Sequence, residues 1–280
     1  MEILSVQNLC KHYEKFDLKN VSFSLEEGYI MGFIGRNGAG KTTTLKSILR
    51  LVHPDAGKVT MLGMDYAENE LQCKQKIGFM LGGVDFYPKK KLSTIVEVTR
   101  RFYSEWDDAA YRRYLDQFEL DPEKKVDELS AGMRVKFSLA LALSHHARLL
   151  ILDEPTSGLD PVSRDELLLL FQNIIEDGDH SILFSTHIIS DLEKCADYIT
   201  YIKEGAVFAR TNKDEFIDAY RLVSGTSAQL TADLKSKLIG LHEHKFGFEG
   251  MLRKSDLAAA SGLEVGPADL ENIMIHIERE

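Results

Sequence analysis

The chain lacks the features that mark membrane-spanning, secreted and nucleic-acid-coating proteins. It has no run of about 18 consecutive apolar residues, so no membrane-spanning helix is expected. The first residues, Met1 to Ser5, lack the charged and apolar parts of a signal peptide, which predicts a protein that is not secreted. A net charge of −10 at pH 7 argues against a general nucleic-acid-binding surface, and we expect no nucleic-acid partner.

Cysteine is scarce as well. Cys10, Cys73 and Cys195 lie far apart and match no metal-ligand spacing, which indicates reduced thiols in a cytoplasmic protein. What the chain does contain is 280 residues, 44% hydrophobic and 28% charged. This composition is typical of a globular protein with one or two domains and a buried core.

One stretch organises the interpretation. Gly35 to Thr43 fits the pattern G-x-x-x-x-G-K-[ST] in full, between a predicted buried strand at Tyr29 to Ile34 and a predicted helix that begins with Thr44 to Leu49. The glycines let successive backbone N–H groups point inward, and the helix N-terminus adds positive potential, so the loop is suited to hold phosphates. Lys41 is expected to reach the β and γ phosphates, and Thr42 to offer its hydroxyl to Mg²⁺. The alternative, a glycine-rich turn without a ligand, does not explain both flanks.

A second stretch, Leu149 to Glu154, has four aliphatic residues followed by two acids. This pattern predicts a buried parallel strand that ends in carboxylates at the edge of a sheet where ligands bind. Asp153 is expected to help hold Mg²⁺, directly or through water. Glu154 is expected to polarise a water for attack on the γ phosphate. Two acids in a solvated loop are the alternative.

Other positions are candidates for nucleotide contacts, and each has a plainer explanation. Tyr13, between two predicted strands, could stack on a purine or be ordinary packing. Ser130 and Gly132 open a predicted helix, whose start could bind an anion or be a capped helix without a ligand. His187 follows the predicted strand Ser181 to Thr186, and could hydrogen-bond a γ phosphate or be structural.

Between these motifs the character of the chain changes. From Leu92 to about Glu119, apolar residues recur at helical spacing among many charges, which predicts a helical subdomain with a solvated outer face. The apolar series is Ile95, Val98, Phe102 and Trp106. We interpret Lys89 to Lys91, Arg100 and Arg101 as part of the solvated face rather than as a site for an anionic partner or lipid.

Taken in order, these motifs resemble the nucleotide-binding subunits of ATP-binding cassette (ABC) transporters, over residues 1 to about 215. In that family, Gly35 to Thr42 would be the Walker A loop, Leu129 to Met133 the signature segment and Ser157 to Asp160 the segment that crosses the dimer interface. The resemblance implies a set of nucleotide-contacting residues: Tyr13, Gly35, Asn37, Gly38, Ala39, Gly40, Lys41, Thr42, Thr43, Asp160 and, from the other subunit, Ser130 and Gly132. The implied catalytic residues are Glu154 and the switch histidine His187, and the implied magnesium ligands are Thr42 and Asp153.

The resemblance also implies the fold. We expect an α/β protein with a RecA-like P-loop NTPase core, an antiparallel β subdomain and an α-helical subdomain at about 84–145 that carries the signature. The cassette would span 1–215, and 216–280 would form a small α+β accessory region. This tail resembles that of subfamilies with a separately encoded export permease.

The function implied is a Mg²⁺-dependent ATPase that uses ATP to power a membrane permease. Two subunits, as a homodimer or with a paralogous cassette, would pair head to tail, so that each ATP lies between one chain's phosphate loop and the signature residues of the other. ATP would join the halves and hydrolysis would free them, and the helical subdomain would pass the motion to the permease. The protein would then be cytoplasmic and peripheral, on the inner face of the cell membrane.

Two departures from the family pattern stand out. Gly82 occupies the position of a glutamine that touches Mg²⁺ and relays the state of the permease, so an extra water would have to complete the magnesium shell. In the signature, Ala131 replaces the usual first glycine and Met133 the usual glutamine, while Ser130 and Gly132 remain.

Other functions fit fewer of the motifs. An ABC-type ATPase of translation usually carries two cassettes, and one of DNA repair carries a long coiled-coil insertion; neither feature is present. A module that senses ATP without hydrolysing it would be compatible with Gly82 but not with Glu154. A P-loop kinase or GTPase would not explain Leu129 to Met133.

Overall fold

The computed structural model describes residues 1–81 and 87–280, and these residues form two compact units, Met1–Arg210 and Thr211–Glu280. The strands of the first unit's two sheets are β1 (Glu2–Tyr13), β2 (Phe16–Glu26), β3 (Ile30–Ile34), β4 (Ala56–Met61), β5 (Met64–Asp65), β6 (Ile77–Met80), β7 (Leu149–Asp153), β8 (Ser181–Thr186), β9 (Tyr198–Lys203) and β10 (Ala206–Asn212). Its helices are α1 (Lys41–Ile48), α2 (Glu70–Lys74), α3 (Leu92–Thr99), α4 (Asp108–Gln117), α5 (Ala131–Ser144), α6 (Pro161–Ile175) and α7 (Ile189–Cys195). Gly82, the position of the missing family glutamine, lies outside the described residues.

The larger sheet has the strand order β10-β9-β3-β8-β7-β6. β3 pairs in parallel with β8 and β9, and β7 pairs in parallel with β6 and β8. Every residue of β3, β7 and β8 is buried, as expected for strands covered on both faces. Because parallel strands end at the same edge of the sheet, the residues that follow them, Gly35, Glu154 and His187, are brought to one edge.

The smaller, antiparallel sheet has the order β2-β1-β4-β5. Its inward-facing residues join the same hydrophobic core as the parallel sheet, and the rings of Phe23 in β2 and Phe33 in β3 lie 5.3 Å apart. The end of the β1–β2 hairpin pairs Tyr13 with Phe16. This sheet therefore carries Tyr13 on a rigid support beside the phosphate loop.

The helical region is less regular than the apolar spacing predicts. α3 continues into a 3₁₀ turn and ends, and α4 begins anew after Asp107, whose carboxylate accepts hydrogen bonds from the N–H groups of Ala109 and Ala110. Val98 and Phe102 are 51% and 71% exposed, so half of the predicted apolar series does not face the core.

The basic residues of this region have acidic partners. Lys89 Nζ lies 2.9 Å from the carboxylate of Asp127, and Lys91 Nζ lies 2.7 Å from that of Glu123. Such exposed pairs are typical of a solvated face. No helix within the described ranges is both long enough and apolar enough to cross a membrane.

The second unit is built on its own antiparallel sheet, in the order β12-β13-β11-β14. Its elements are α8 (Lys213–Asp218), β11 (Tyr220–Gly225), α9 (Ala232–Lys237), β12 (Ile239–His244), β13 (Gly247–Arg253), β14 (Glu264–Pro267) and α10 (Leu270–Glu278). Val223, Leu234, Phe248 and Leu252 are buried together in a separate hydrophobic cluster. This unit therefore has a small core of its own.

Candidate functional site

A polar cleft of about 690 Å³ opens at the carboxyl ends of β3 and β7, between the phosphate loop and the tip of the β1–β2 hairpin. It is lined by Tyr13, Lys15, Phe16, Asn37, Gly38, Gly40, Lys41, Thr42, Thr43, Glu154, Ser157 and His187. Most of the residues predicted to contact a nucleotide from this chain are therefore brought together in one cavity.

The phosphate loop is shaped by its glycines and by Lys41. Gly38 and Gly40 have φ angles of 83° and 113°, in the left-handed region that favours glycine. A Cβ atom on Gly40 would lie 2.7 Å from the ring of Phe16, so the loop approaches the hairpin closely. The Lys41 side chain is only 5% exposed, and its Nζ donates a hydrogen bond of 2.7 Å to the carbonyl oxygen of Gly35. The loop thus holds its ammonium group against its own backbone, at the start of α1.

Next to the loop, a hydroxyl and a carboxylate are arranged as the ligands of a hard cation require. Thr42 Oγ1 donates to Asp153 Oδ2 at 2.8 Å, and Ser185 Oγ donates to Asp153 Oδ1 at 2.6 Å. Asp153 is 2% exposed, so its charge is held in place by these two hydroxyls. Within the described ranges, no group of three or more His, Cys, Asp or Glu side chains is placed to hold a metal ion. An oxygen pair of this kind fits Mg²⁺, which keeps several waters and takes further ligands from phosphates.

Glu154 connects the phosphate loop with His187. Its Oε1 lies 3.2 Å from Lys41 Nζ, and its Oε2 lies 2.6 Å from His187 Nδ1. The Glu154 backbone has a φ of 52°, and its N–H donates to both the carbonyl and the hydroxyl oxygen of Ser185. Because Nδ1 of His187 contacts Glu154, the other ring nitrogen, Nε2, is the one that can bind a second partner.

At the other end of the cleft, the hairpin offers an aromatic face. Tyr13 is 40% exposed, and Lys11 Nζ lies 5.7 Å from the centre of its ring. An exposed ring at the mouth of a phosphate-binding cleft is suited to stack on a flat base. Lys15 and Phe16, which the motifs did not single out, also line the cleft.

Ser130, Gly132 and Asp160 do not line this cleft. Ser130 is the N-cap of α5, where its Oγ accepts the N–H of Met133 at 3.2 Å. A Cβ atom on Gly132 would lie 3.8 Å from side-chain atoms of Leu159 and Ser163, so the start of α5 neighbours the segment that includes Asp160. The start of α5 and the Ser157–Asp160 segment are therefore adjacent, and of that segment Ser157 lines the phosphate-loop cleft whereas Asp160 does not.

Asp160 also has a local role. Its Oδ1 accepts hydrogen bonds from the N–H groups of Val162 and Ser163 at the start of α6, and Ser163 Oγ donates to its Oδ2 at 2.6 Å. These hydrogen bonds, led by that of the Ser163 hydroxyl, hold the pKa of the Asp160 carboxyl below its usual value.

Ser185 is a further residue at this site that the motifs did not indicate. It bonds both the Asp153 carboxylate and the Glu154 N–H, and it thereby ties the end of β7 to β8. Its signal in the sequence is a buried polar residue near the end of an otherwise apolar strand. That signal is weak by itself, because only strand pairing shows which carboxylate lies beside it.

Comparison with known proteins identifies the family. Residues 18–157 match the family described as ABC transporter. The chain is 32% identical over 203 residues to the ABC transporter ATP-binding protein YtrB of Bacillus subtilis (strain 168), covering 72% of this chain and 69% of YtrB. The chain belongs to the ABC transporter ATP-binding family.

A second relative of this cassette is the bacitracin transport ATP-binding protein BcrA of Bacillus licheniformis. It is 32% identical over 206 residues, which cover 72% of this chain and 67% of BcrA. Among solved structures, an ATP-binding subunit of an ABC transporter matches with a TM-score of 0.68 and 28% identity, covering 76% of this chain and 91% of that one. These likenesses confirm the predicted α/β fold class, a P-loop NTPase cassette with a parallel core sheet and an antiparallel subdomain.

Proposed function

We propose that the protein is a Mg²⁺-dependent ATPase subunit that powers a membrane permease. The observation that carries this proposal is the meeting of Lys41, Glu154 and His187, with the Thr42–Asp153 pair beside them, at the ends of parallel strands. A nucleotide-binding module without hydrolysis would not need a carboxylate held between a lysine and a histidine. Since the chain belongs to a family of ATP-binding subunits, ATP is the expected substrate.

Each side chain in the cleft has a distinct task in this proposal. The phosphate-loop N–H groups and Lys41 bind the β and γ phosphates. Thr42 and Asp153 would hold Mg²⁺, which would offset negative charge on the phosphates. Glu154 is the general base that accepts a proton from the attacking water, and His187 Nε2 contacts the γ phosphate. Tyr13 stacks on adenine and shields one face of the base from water.

The proposal requires a second cassette. Ser130, Gly132 and Asp160 lie outside the cleft of their own chain, although their helix starts are suited to approach a phosphate. We propose that they complete the site of a partner subunit, either a second copy or a paralogous cassette. Each ATP would then join two chains, and hydrolysis would release them.

A groove in the first unit supports the proposed permease partner. An apolar cavity of about 290 Å³ lies among residues of β6, α3 and α5, and it is lined largely by Phe79, Tyr87, Ile95, Val126, Phe137 and Leu141. Tyr87 and Phe79 are 67% and 36% exposed. Such a groove fits an apolar segment of a permease on the inner face of the cell membrane.

We propose a cassette at 1–215, with a helical subdomain at about 84–145, and an accessory region at 216–280.

The test compares the wild type with Glu154→Gln. The wild type should hydrolyse ATP only with Mg²⁺ present, and Glu154→Gln should slow hydrolysis by about a hundredfold or more, since the amide cannot accept a proton from water. The variant should also form an ATP-bound dimer that is detectable by light scattering after size exclusion.

The control is Glu176→Gln, which makes the same change at an exposed residue at the end of α6. It should hydrolyse ATP like the wild type. A wild type without ATPase activity would refute the enzymatic proposal. A Glu154→Gln protein that remains monomeric in saturating ATP and Mg²⁺ would refute the paired-subunit mechanism.

A further inference from the structure

A buried carboxylate lies behind the proposed catalytic pair. Asp191, on α7, is 0% exposed, and its Oδ2 accepts hydrogen bonds from Thr156 Oγ1 at 2.6 Å and Thr186 Oγ1 at 3.3 Å. Thr156 comes two residues after Glu154, and Thr186 directly precedes His187. One oxygen atom therefore joins the segment that carries the glutamate to the segment that carries the histidine.

The hydrogen bonds of Asp191 and Thr186 involve the residues on both sides of His187. The hydroxyl of Thr186, which donates to Asp191, also accepts the N–H of Ile188 at 2.9 Å. The residues before and after His187 are thereby fixed in one network. The placement of the imidazole consequently depends on Asp191, although Asp191 does not line the nucleotide cleft.

The second oxygen of Asp191 is held less well. Its Oδ1 lies 4.0 Å from Nε of Arg164 on α6, which is too far for a hydrogen bond, and within the described part of the chain neither atom has a hydrogen-bond partner. Burial raises the pKa of the Asp191 carboxyl. A buried carboxylate oxygen without a hydrogen-bond partner lowers the stability of the fold, so its presence calls for an explanation.

We propose that Asp191 is a positioning residue for ATP hydrolysis, holding the segments of Glu154 and His187 in the register in which their side chains meet. This inference rests on the ATPase function proposed above. Without the Asp191 carboxylate, the segments that carry Glu154 and His187 would no longer be joined, and the 2.6 Å contact between these two side chains would not be held in place. ATP binding would persist, because the Lys41 and Thr42 contacts do not involve Asp191.

The experiment measures steady-state ATPase kinetics of Asp191→Ala, which removes the oxygen that accepts from both threonines. We expect kcat to fall by about tenfold or more while KM for ATP stays within about twofold, since the loss falls on the chemical step rather than on binding. The matched control is Asp165→Ala. Asp165 is exposed and forms an ion pair with Lys194, so it also joins α6 to α7, but without contact to either threonine. The control should retain wild-type kcat.

A double mutant separates positioning from general stability. If Asp191 acts through His187, then Asp191→Ala in a His187→Ala background should change kcat by less than about twofold, because contacting residues in one network are not additive. A structural defect alone would lower activity equally in both backgrounds.

A second pair of variants covers the case in which Asp191→Ala does not fold. Thr156→Val removes the hydroxyl that bonds Asp191, whereas Thr156→Ser keeps it, so only the valine variant should lose kcat. Wild-type kcat in Asp191→Ala, additive effects with His187→Ala, or equal kcat in the two Thr156 variants would overturn the inference. A wild type that does not hydrolyse ATP would instead refute the proposed function.

Discussion

Single residues in this protein hold conformations that their own preferences disfavour. Glu154, a non-glycine residue, has a φ of 52°, which costs on the order of 1 kcal/mol or more and persists only where its surroundings fix it. The N–H bonds to Ser185 supply that constraint. The resulting turn carries the Glu154 carboxylate to both Lys41 and His187. The strained backbone of Glu154 thus places its carboxylate where it contacts both side chains.

His145 is a second residue whose surroundings override its usual state. It is 2% exposed, its ring stacks on Tyr103 at 3.7 Å, and its Nδ1–H donates to the carbonyl oxygen of Gln75 at 3.1 Å. Burial lowers the pKa of His145 from 6.5 to about 4. The folded protein therefore keeps this imidazole neutral at pH values where the unfolded chain protonates it.

We predict that His145 makes the free energy of unfolding fall as the pH falls from 6.5 towards 4. In this window the unfolded state binds a proton that the folded state rejects, which costs about 2 to 3 kcal/mol by pH 4.5. In His145→Phe, which keeps the stacked ring, that part of the pH dependence should disappear. Urea denaturation at pH 7.5 and 4.5 measures the difference.

The control for this experiment is the exposed neighbour His146, whose φ of 57° asparagine tolerates. His146→Asn should keep the pH dependence of the wild type. If the stability of His145→Phe falls in parallel with that of the wild type, the assignment to His145 is wrong.

Among the elements, α5 connects two regions of the cassette. Its N-terminus is capped by Ser130 and lies beside Leu159. Its C-cap is His145, which hydrogen-bonds Gln75 just before β6. Phe137 and Leu141, along its length, line the apolar groove proposed for the permease. One rigid helix therefore runs from the proposed partner-facing site to the proposed permease groove.

We predict that Ser130→Ala has two separable effects. Loss of the cap should lower the free energy of unfolding by about 1 kcal/mol, as should Asp107→Ala at the start of α4. Only Ser130→Ala should lower ATPase activity, by about tenfold or more, because only this cap is proposed to contact a partner's nucleotide. Thermal unfolding and ATPase assays of both variants provide the comparison. Equal, near-wild-type activity in both would leave Ser130 as a helix cap alone.

At the scale of the whole molecule, each of the two units has a hydrophobic core of its own. The core around Phe23 and Phe33 contains residues of the first unit, and the cluster around Val223 and Phe248 contains residues of the second. Each unit buries its own apolar side chains around its own sheet, which is the physical basis of independent folding.

We predict that a chain ending at Asn212 folds and binds ATP with an affinity within about twofold of the full chain, since both sheets of the first unit are then complete. A chain ending at Lys203 is the control, because it lacks the edge strand β10 and the hydrogen bond from Arg210 to Ser24. It should be less stable. Circular dichroism and a fluorescent ATP analogue report folding and binding, and an insoluble 1–212 protein would contradict the prediction.

The sequence by itself determined the strands that carry the site, the phosphate loop and the order of the motifs, because these depend on local patterns of apolar residues and glycines. The apolar runs before Gly35 and Asp153 predicted β3 and β7 to within one residue at each end. Family membership follows from the same ordered motifs, and comparison confirms it.

Only the tertiary structure decided which side chains meet. The pairing of β7 with β8 sets Ser185 beside Asp153, and the packing of α7 sets Asp191 between Thr156 and Thr186. The contacts of Ser185 with Asp153 and of Thr156 with Asp191 join residues 32 and 35 positions apart, so no local pattern encodes them. Likewise, the spacing of Val98 and Phe102 indicated a buried face, but burial depends on what else covers the helix, and nothing described covers these two side chains fully.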